Sequence, residues 1–193
     1  MDHLSELENR AIYILRESFA NFEKLAMLWS IGKDSTVLLY LCRKSFFGHI
    51  PFPLIHIDTG FKIPEMITYR DRLVQEWKLD MIVGQNQDAL REKLTFPHGN
   101  IDRLGCCASL KSTALKNTIG GTWPRLRFDH HQNRYVSDPS NEDFTGIIVG
   151  VRADEEGSRS KERYFSPRDQ RNTWDPSEQP PEFWNQYNTD FFP

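Results

Sequence analysis

The sequence predicts a doubly wound α/β domain, with a mostly parallel sheet and helices on both faces. Three observations predict it. Short apolar runs recur as strand candidates at about 25–30, 53–58, 79–84 and 146–151. Segments of helical spacing lie among them at about 35–46, 64–77 and 107–118. The first strand runs into the first of these helices through Ser30-Ile31-Gly32-Lys33-Asp34-Ser35, a loop of glycine, hydroxyl and charged residues between two apolar runs. Alternation of this kind implies parallel strands joined by crossover helices.

Along the chain, Leu4, Leu7, Ala11, Ile14, Leu15 and Phe19 recur near helical spacing with charged residues between them. Residues 1–24 therefore read as an amphipathic helix packed on the domain. Leu25 to Trp29 reads as a buried strand, and Val37 to Leu41, continued by Cys42, Arg43 and Lys44, as the first turns of a helix. Residues 120–145 contain Gly120-Gly121, Trp123-Pro124 and Asp138-Pro139 around a basic and aromatic mixture, which predicts a long loop or lid. The α/β domain is assigned to 25–165, and the Pro-, Asn-, Gln- and aromatic-rich stretch 166–193 to the extended start of a truncated C-terminal region, lying on a surface or on another subunit.

At 193 residues the chain is long enough to bury a core without staples. A hydrophobic share of 38% and a charged share of 26% are those of a globular protein. The net charge of −3 argues against a general nucleic-acid binder. There is no run long enough for a transmembrane helix, and the polar, acidic start is unlike a signal peptide. Three cysteines, two of them adjacent, make no disulfide framework, so the chain is expected in the cytoplasm.

Open α/β sheets bind ligands at the carboxyl ends of their strands, near a switch in strand order. The loops after Trp29, Ile57 and Val149 belong to that edge, which brings the Ser30–Ser35 loop, Asp58 and Arg152 toward one crevice. A loop opening a helix turns backbone N–H groups outward where the helix dipole favours an anion. Lys33 adds a cation, and Ser30 and Ser35 can add hydroxyl donors. Asp34 would repel a bare phosphate, and suits one accompanied by Mg²⁺. The loop is not a Walker A motif, because position 27 is Met27 and Asp34 follows Lys33. The plainer reading of Asp34 and Ser35 is as helix caps.

Asp58 in His56-Ile57-Asp58-Thr59-Gly60 can position Mg²⁺ or a ribose hydroxyl, or simply cap the next turn. Arg152, Arg159, Lys161 and Arg163 follow the last strand within a dozen residues, a supply of planar and point cations for oxyanions. Interleaved Asp154, Glu155, Glu156 and Glu162 equally allow a solvated face of internal ion pairs. Lys111 follows Cys106-Cys107 and can reach a ligand phosphate. A zinc site from His98, Cys106, Cys107 and His130 or His131 has irregular spacing.

The hexapeptide resembles the phosphate loop of the PP-loop ATP pyrophosphatases, written SGGxDS, with Ile31 in place of the first glycine. SIGKDS itself is the form usual in the small subunits of ATP-dependent sulfate adenylyltransferases. Pro53 to Lys62, Gly150 to Arg163, and Trp174-Asp175-Pro176 with Pro180 to Asn188 are similar to that branch as well. The resemblance implies an adenine nucleotide alpha hydrolase-like fold. It implies ATP and Mg²⁺ held by Ser30, Ile31, Gly32, Lys33, Asp34, Ser35, Asp58, Thr59, Gly60, Lys111, Gly150, Arg159, Lys161 and Arg163, the metal on Asp34 and Asp58. Lys33, Asp34 and Arg152 would serve the chemistry: attack of sulfate on the α-phosphorus of ATP, giving adenosine 5′-phosphosulfate and pyrophosphate. The partner implied is a GTP-hydrolysing large subunit, and the family subunit is longer, so a shortened chain is expected. Cys106 and Cys107 leave open a sulfonucleotide reductase-like chemistry on the same fold, and a non-catalytic nucleotide-binding subunit is the other alternative.

Overall fold

The computed structural model describes residues 2–140, 142–151 and 163–168. Helix α1 (His3–Asn21) is capped by Asp2, whose carboxylate accepts the Ser5 N–H. Strands β1 (Leu25–Leu28), β2 (Leu54–Ile57) and β3 (Met81–Gly84) are short and nearly wholly buried. They read as continuous apolar runs because both sheet faces are covered. Crossover helices α2 (Lys33–Ser45) and α3 (Pro64–Trp77) join them, and both pairings are parallel. α3 begins with Pro64 in its first turn and stops at left-handed Lys78. After β3 come α4 (Gln87–Arg91), then a continuous helical run of α5 (Arg103–Cys107), a π-helical stretch (Ala108–Thr113) and α6 (Ala114–Ile119).

The sheet order is β5-β4-β3-β2-β1-β6, where β4 is Leu126–Asp129, β5 is Arg134–Ser137 and β6 is Gly146–Ile148. β6 returns to pair parallel with β1, on the side opposite β2. Strand order therefore reverses at β1, and the carboxyl ends of β1 and β6 form the switch point. One face buries Leu25, Met27, Leu54, Met81 and Val83 under Leu15 of α1, Leu39 of α2 and Leu73 of α3. The other buries Ala26, Ile55 and Ile82 with Phe144, against Ile119 of α6. These alternating sets match the period of two and put helices on both faces. The expected amphipathic helix is present: α1 lies on α2, with Arg16 Nε donating to the Ser45 carbonyl at 2.9 Å. Among the described residues no helix is long and apolar enough to cross a membrane.

Residues 120–145 depart from the expected loop. Its middle, 126–137, is a hairpin, β4 and β5, which extends the sheet antiparallel from β3. Its strands escape a hydrophobic-pattern reading because only Phe128 among Leu126–Asp129 is buried, and Arg134–Ser137 has no buried residue. Polar anchors hold it instead. Arg127 Nε donates to Asp80 at 2.6 Å, the Tyr135 hydroxyl to Asp71 at 2.9 Å, and Arg125 Nε to Asp138 at 2.7 Å. Asp129 Oδ1 accepts the His131 and Gln132 amides and shapes the turn, which closes through left-handed Asn133. Of the expected extended segment 166–193, positions from 169 onward lie outside the described residues.

Candidate functional site

β1 ends against α2 in a tight loop. Gly32 caps the helix, and the Thr36 amide makes the first intrahelical bond to the Gly32 carbonyl at 3.0 Å. The amides before it open toward the strand ends, at the positive end of the helix dipole. Ser30 and Ser35 turn their hydroxyls on each other at 3.0 Å. Ser35 Oγ also lies 3.1 Å from the Gly32 carbonyl, and the Gly32 amide donates to Ser30 Oγ at 3.3 Å. The hydroxyls thus lock the loop's shape as well as facing it. Lys33 is exposed in the first turn, and Asp34 beside it is half-buried.

Ile31 occupies the left-handed region at φ 67°. That conformation is strained for a β-branched residue and costless for glycine. It accounts for a glycine at this place in the SGGxDS pattern. Here the side chain packs partly buried on the core, which offsets the strain.

Gly150, just past β6, meets this loop. A Cβ on it would stand 3.3 Å from both N and Cα of Ser35. After β2, the Asp58 amide donates to the Gly84 carbonyl, and Asp58 Oδ1 accepts the Gly60 amide at 2.8 Å. Asp58 therefore does close a turn, through Thr59 to Gly60 at φ 75°. Its other oxygen faces Gln85 Nε2 at 3.4 Å. Burial pushes the Lys62 ammonium down, Lys111 pushes it the same way, and Asp58 pulls it back. Lys62, Lys111 and Asp58 thus share one electrostatic field, with Lys111 on the π-helical stretch, a feature frequent at functional sites.

The structure brings together Ser30, Ile31, Gly32, Lys33, Asp34, Ser35 and Gly150, with Asp58, Thr59 and Gly60 following the carboxyl end of the adjacent strand and Lys111 within electrostatic reach of Lys62. It does not bring Arg163. That residue is exposed, its amide donates to Ser166 Oγ at 3.0 Å, and Phe165 two residues on stacks on Phe22 at the end where β1 begins. The loop of Ser30 lies at the opposite end. Arg152, Arg159 and Lys161 lie outside the described residues. Sequence reasoning missed Lys62 and His56. The signals were present: a lysine four positions beyond Asp58, and a histidine in an otherwise apolar strand.

Among the described residues no three His, Cys, Asp or Glu side chains gather as a metal cluster. His130 Nε2 is engaged with the Leu79 carbonyl at 2.9 Å. Cys42 is buried, its thiol pushed up to about 12 by that burial, while Cys107 is exposed and Cys106 half-exposed.

Residues 24–176 match the phosphoadenosine phosphosulfate reductase domain family. The chain is 42% identical over 190 residues to sulfate adenylyltransferase subunit 2 of Hahella chejuensis, across 97% of this chain and 55% of that protein. It is 43% identical over 188 residues to the protein of the same name from Shewanella loihica, across 96% and 55%. For that of Marinomonas sp. the identity is 40% over 190 residues, across 97% and 56%. The chain spans about half the length of these relatives. The family match covers both switch-point strands and every loop that meets there, so on sequence and architecture together the chain belongs to the phosphoadenosine phosphosulfate reductase domain family.

Proposed function

We propose that this chain is the nucleotide-binding part of a sulfate adenylyltransferase small subunit, joining ATP and sulfate to adenosine 5′-phosphosulfate and pyrophosphate. The observation that supports it most is the Ser30–Ser35 loop opening α2 at the switch point, in a chain 40–43% identical to relatives named for that activity.

The pyrophosphate of ATP would sit on the amides that open α2, with Lys33 as counter-charge. A sulfate oxygen attacks the α-phosphorus, the bond to the bridging oxygen of the β-phosphate breaks, and pyrophosphate leaves into the loop. No covalent nucleophile is needed, so the protein contributes positioning and charge stabilisation. Arg152, two residues past Gly150, would face the incoming sulfate, with Arg159 and Lys161 assisting. Lys62 and Lys111 supply further positive charge beside Asp58. Lys62 is easier to neutralise than a free lysine, and a bound anion would restore its charge.

Asp34 and Asp58 fit a Mg²⁺ that arrives with the nucleotide. Each carboxylate retains acceptor capacity, and this ion is ordinarily held by one or two carboxylates plus phosphate oxygens. Bound there, it would neutralise charge on the phosphates. Formation of the phosphosulfate anhydride is uphill, so a GTP-hydrolysing partner subunit in the cytoplasm would drive it.

The test is pyrophosphate release from ATP–Mg with sulfate, with no acceptor, and with other oxyanions, each with and without a GTPase subunit. Sulfate-dependent release supports the proposal. Nucleotide binding with no release under any condition would mean a non-catalytic subunit. The family's name and the Cys106–Cys107–Lys111 order favour one other reading, a reductase-like chemistry on these thiols. Iron content and visible absorption of the purified protein discriminate it.

A further inference from the structure

We infer that His56 is a positioning residue for the phosphate loop, holding the carbonyl of Trp29 and so the direction in which the chain leaves β1. The inference rests on the loop being the nucleotide's seat. His56 is fully buried in β2, and its Nδ1 lies 2.9 Å from the Trp29 carbonyl oxygen. A carbonyl can only accept, so Nδ1 carries the proton and Nε2 carries the lone pair. Nε2 is buried without a hydrogen-bond partner. Leaving a buried acceptor unpaired is costly, and a Leu, Met or Phe would fill the same space without that cost. The same strand and its neighbours use such residues, with Leu54, Met27 and Met81 fully buried. What the imidazole contributes in exchange is the bond from Nδ1.

That bond lands on the last residue before the loop. Trp29 is tied at two further points: its indole Nε1 donates to Thr36 Oγ1 in the first turn of α2 at 3.1 Å, and Tyr69 of α3 meets its ring edge-on at 6.3 Å. Trp29 thus couples β2, α2 and α3 at the point where the loop begins. Two residues later Ile31 is held at φ 67°. Strained conformations persist only where their surroundings over-determine them. The clamp on Trp29 fixes one side of Ile31, and the Ser30, Gly32 and Ser35 bonds fix the other.

Three measurements on the full chain test this. The ¹⁵N shifts of the His56 ring, read without any variant, should show Nδ1 protonated and Nε2 bare. A proton on Nε2 with Nδ1 bare would overturn the inference outright. His56→Phe keeps a buried ring without the donor, and His56→Asn places an amide donor near the Nδ1 position. Without nucleotide, the backbone amide signals of Ser30 to Ser35 should move in the Phe variant and stay close to the parent in the Asn variant. With a non-hydrolysable ATP analogue, calorimetry should show about tenfold weaker binding for Phe, and within about threefold of the parent for Asn. Equal losses in the two variants, or unmoved loop signals in His56→Phe, would reduce His56 to a packing residue. A parent protein that binds no nucleotide, with loop signals still dependent on His56, would instead defeat the functional reading and leave the positioning intact.

Discussion

Gly150 passes Ser35 so closely that a side chain on it would press, at 3.3 Å, on the backbone that opens α2. This contact ties the carboxyl end of β6 to the Ser30–Ser35 loop. Gly150→Ala should leave the core intact, because the contact lies beyond the last paired residue of β6. It should shift the start of α2 by a few tenths of an ångström and weaken nucleotide binding by about tenfold, since misplaced donors lose most of a charge-assisted hydrogen bond. Calorimetry beside thermal unfolding separates the two effects. A variant with parent-like affinity would show that the loop tolerates movement at Ser35.

Lys33 stands exposed in the first turn of α2, where the helix dipole disfavours a cation. Lys33→Ala should therefore leave stability unchanged or raise it by about 0.3–1 kcal/mol. ATP-analogue affinity should fall by roughly 1.5–3 kcal/mol, about ten- to a hundredfold. Unchanged affinity would remove this lysine from the phosphate seat.

Arg125 is the structural counterpart. It is 3% exposed, pairs with Asp138 at 2.7 Å, and also donates to the carbonyls of Thr118 and Glu142. Burial pushes the Asp138 carboxyl up, but Arg125 and Ser140 pull it further down, so it stays ionised. Arg125→Ala strands that charge and should destabilise by about 3–5 kcal/mol. Arg127→Ala, which loses the half-exposed pair with Asp80, should cost about 1 kcal/mol or less. Urea unfolding of the two variants should differ accordingly, and equal costs would show that Arg125 is not the anchor of the hairpin.

His56 makes stability depend on pH. Its ring is held down at about 4, first by burial and then by Arg70 and Lys62, while the Trp29 carbonyl and Asp58 act the other way. The unfolded ring titrates at about 6.5. Between these values the unfolded chain binds the extra proton, so stability rises with pH across the window. The contribution is complete above pH 6.5 and fades as pH falls through 4. It amounts to on the order of 3 kcal/mol. Unfolding free energy at pH 7 should exceed that at pH 4.5 by most of this amount, and His56→Phe should flatten the difference. An equally steep acid limb in that variant would assign the effect to other groups.

The apolar periods of the sequence determined the architecture. Continuous apolar runs announced β1, β2, β3 and β6, and Pro64 and helical spacing placed α3 at Pro64–Trp77. Alternation implied a parallel sheet, and with it the edge on which the Ser30 loop, Asp58 and Arg152 were expected to meet; Arg152 lies outside the described residues. Those signals are local, because burial on two faces or one stripe leaves its mark on consecutive residues. Tertiary structure decided the rest. The hairpin at β4 and β5 carries almost no apolar alternation, since ion pairs to Asp80 and Asp138 and a tyrosine hydrogen bond to Asp71 hold it, and partners 13 to 64 residues away leave no periodic trace. Arg163 looked like part of the arginine-rich rim, yet the ring of Phe165 draws that stretch to the far end of β1. The roles proposed for Lys62 and His56 depend on Lys111 acting on the first and the Trp29 carbonyl lying against the second. A charge or a ring nitrogen has a function only through its neighbours, and for these residues the fold alone supplies them.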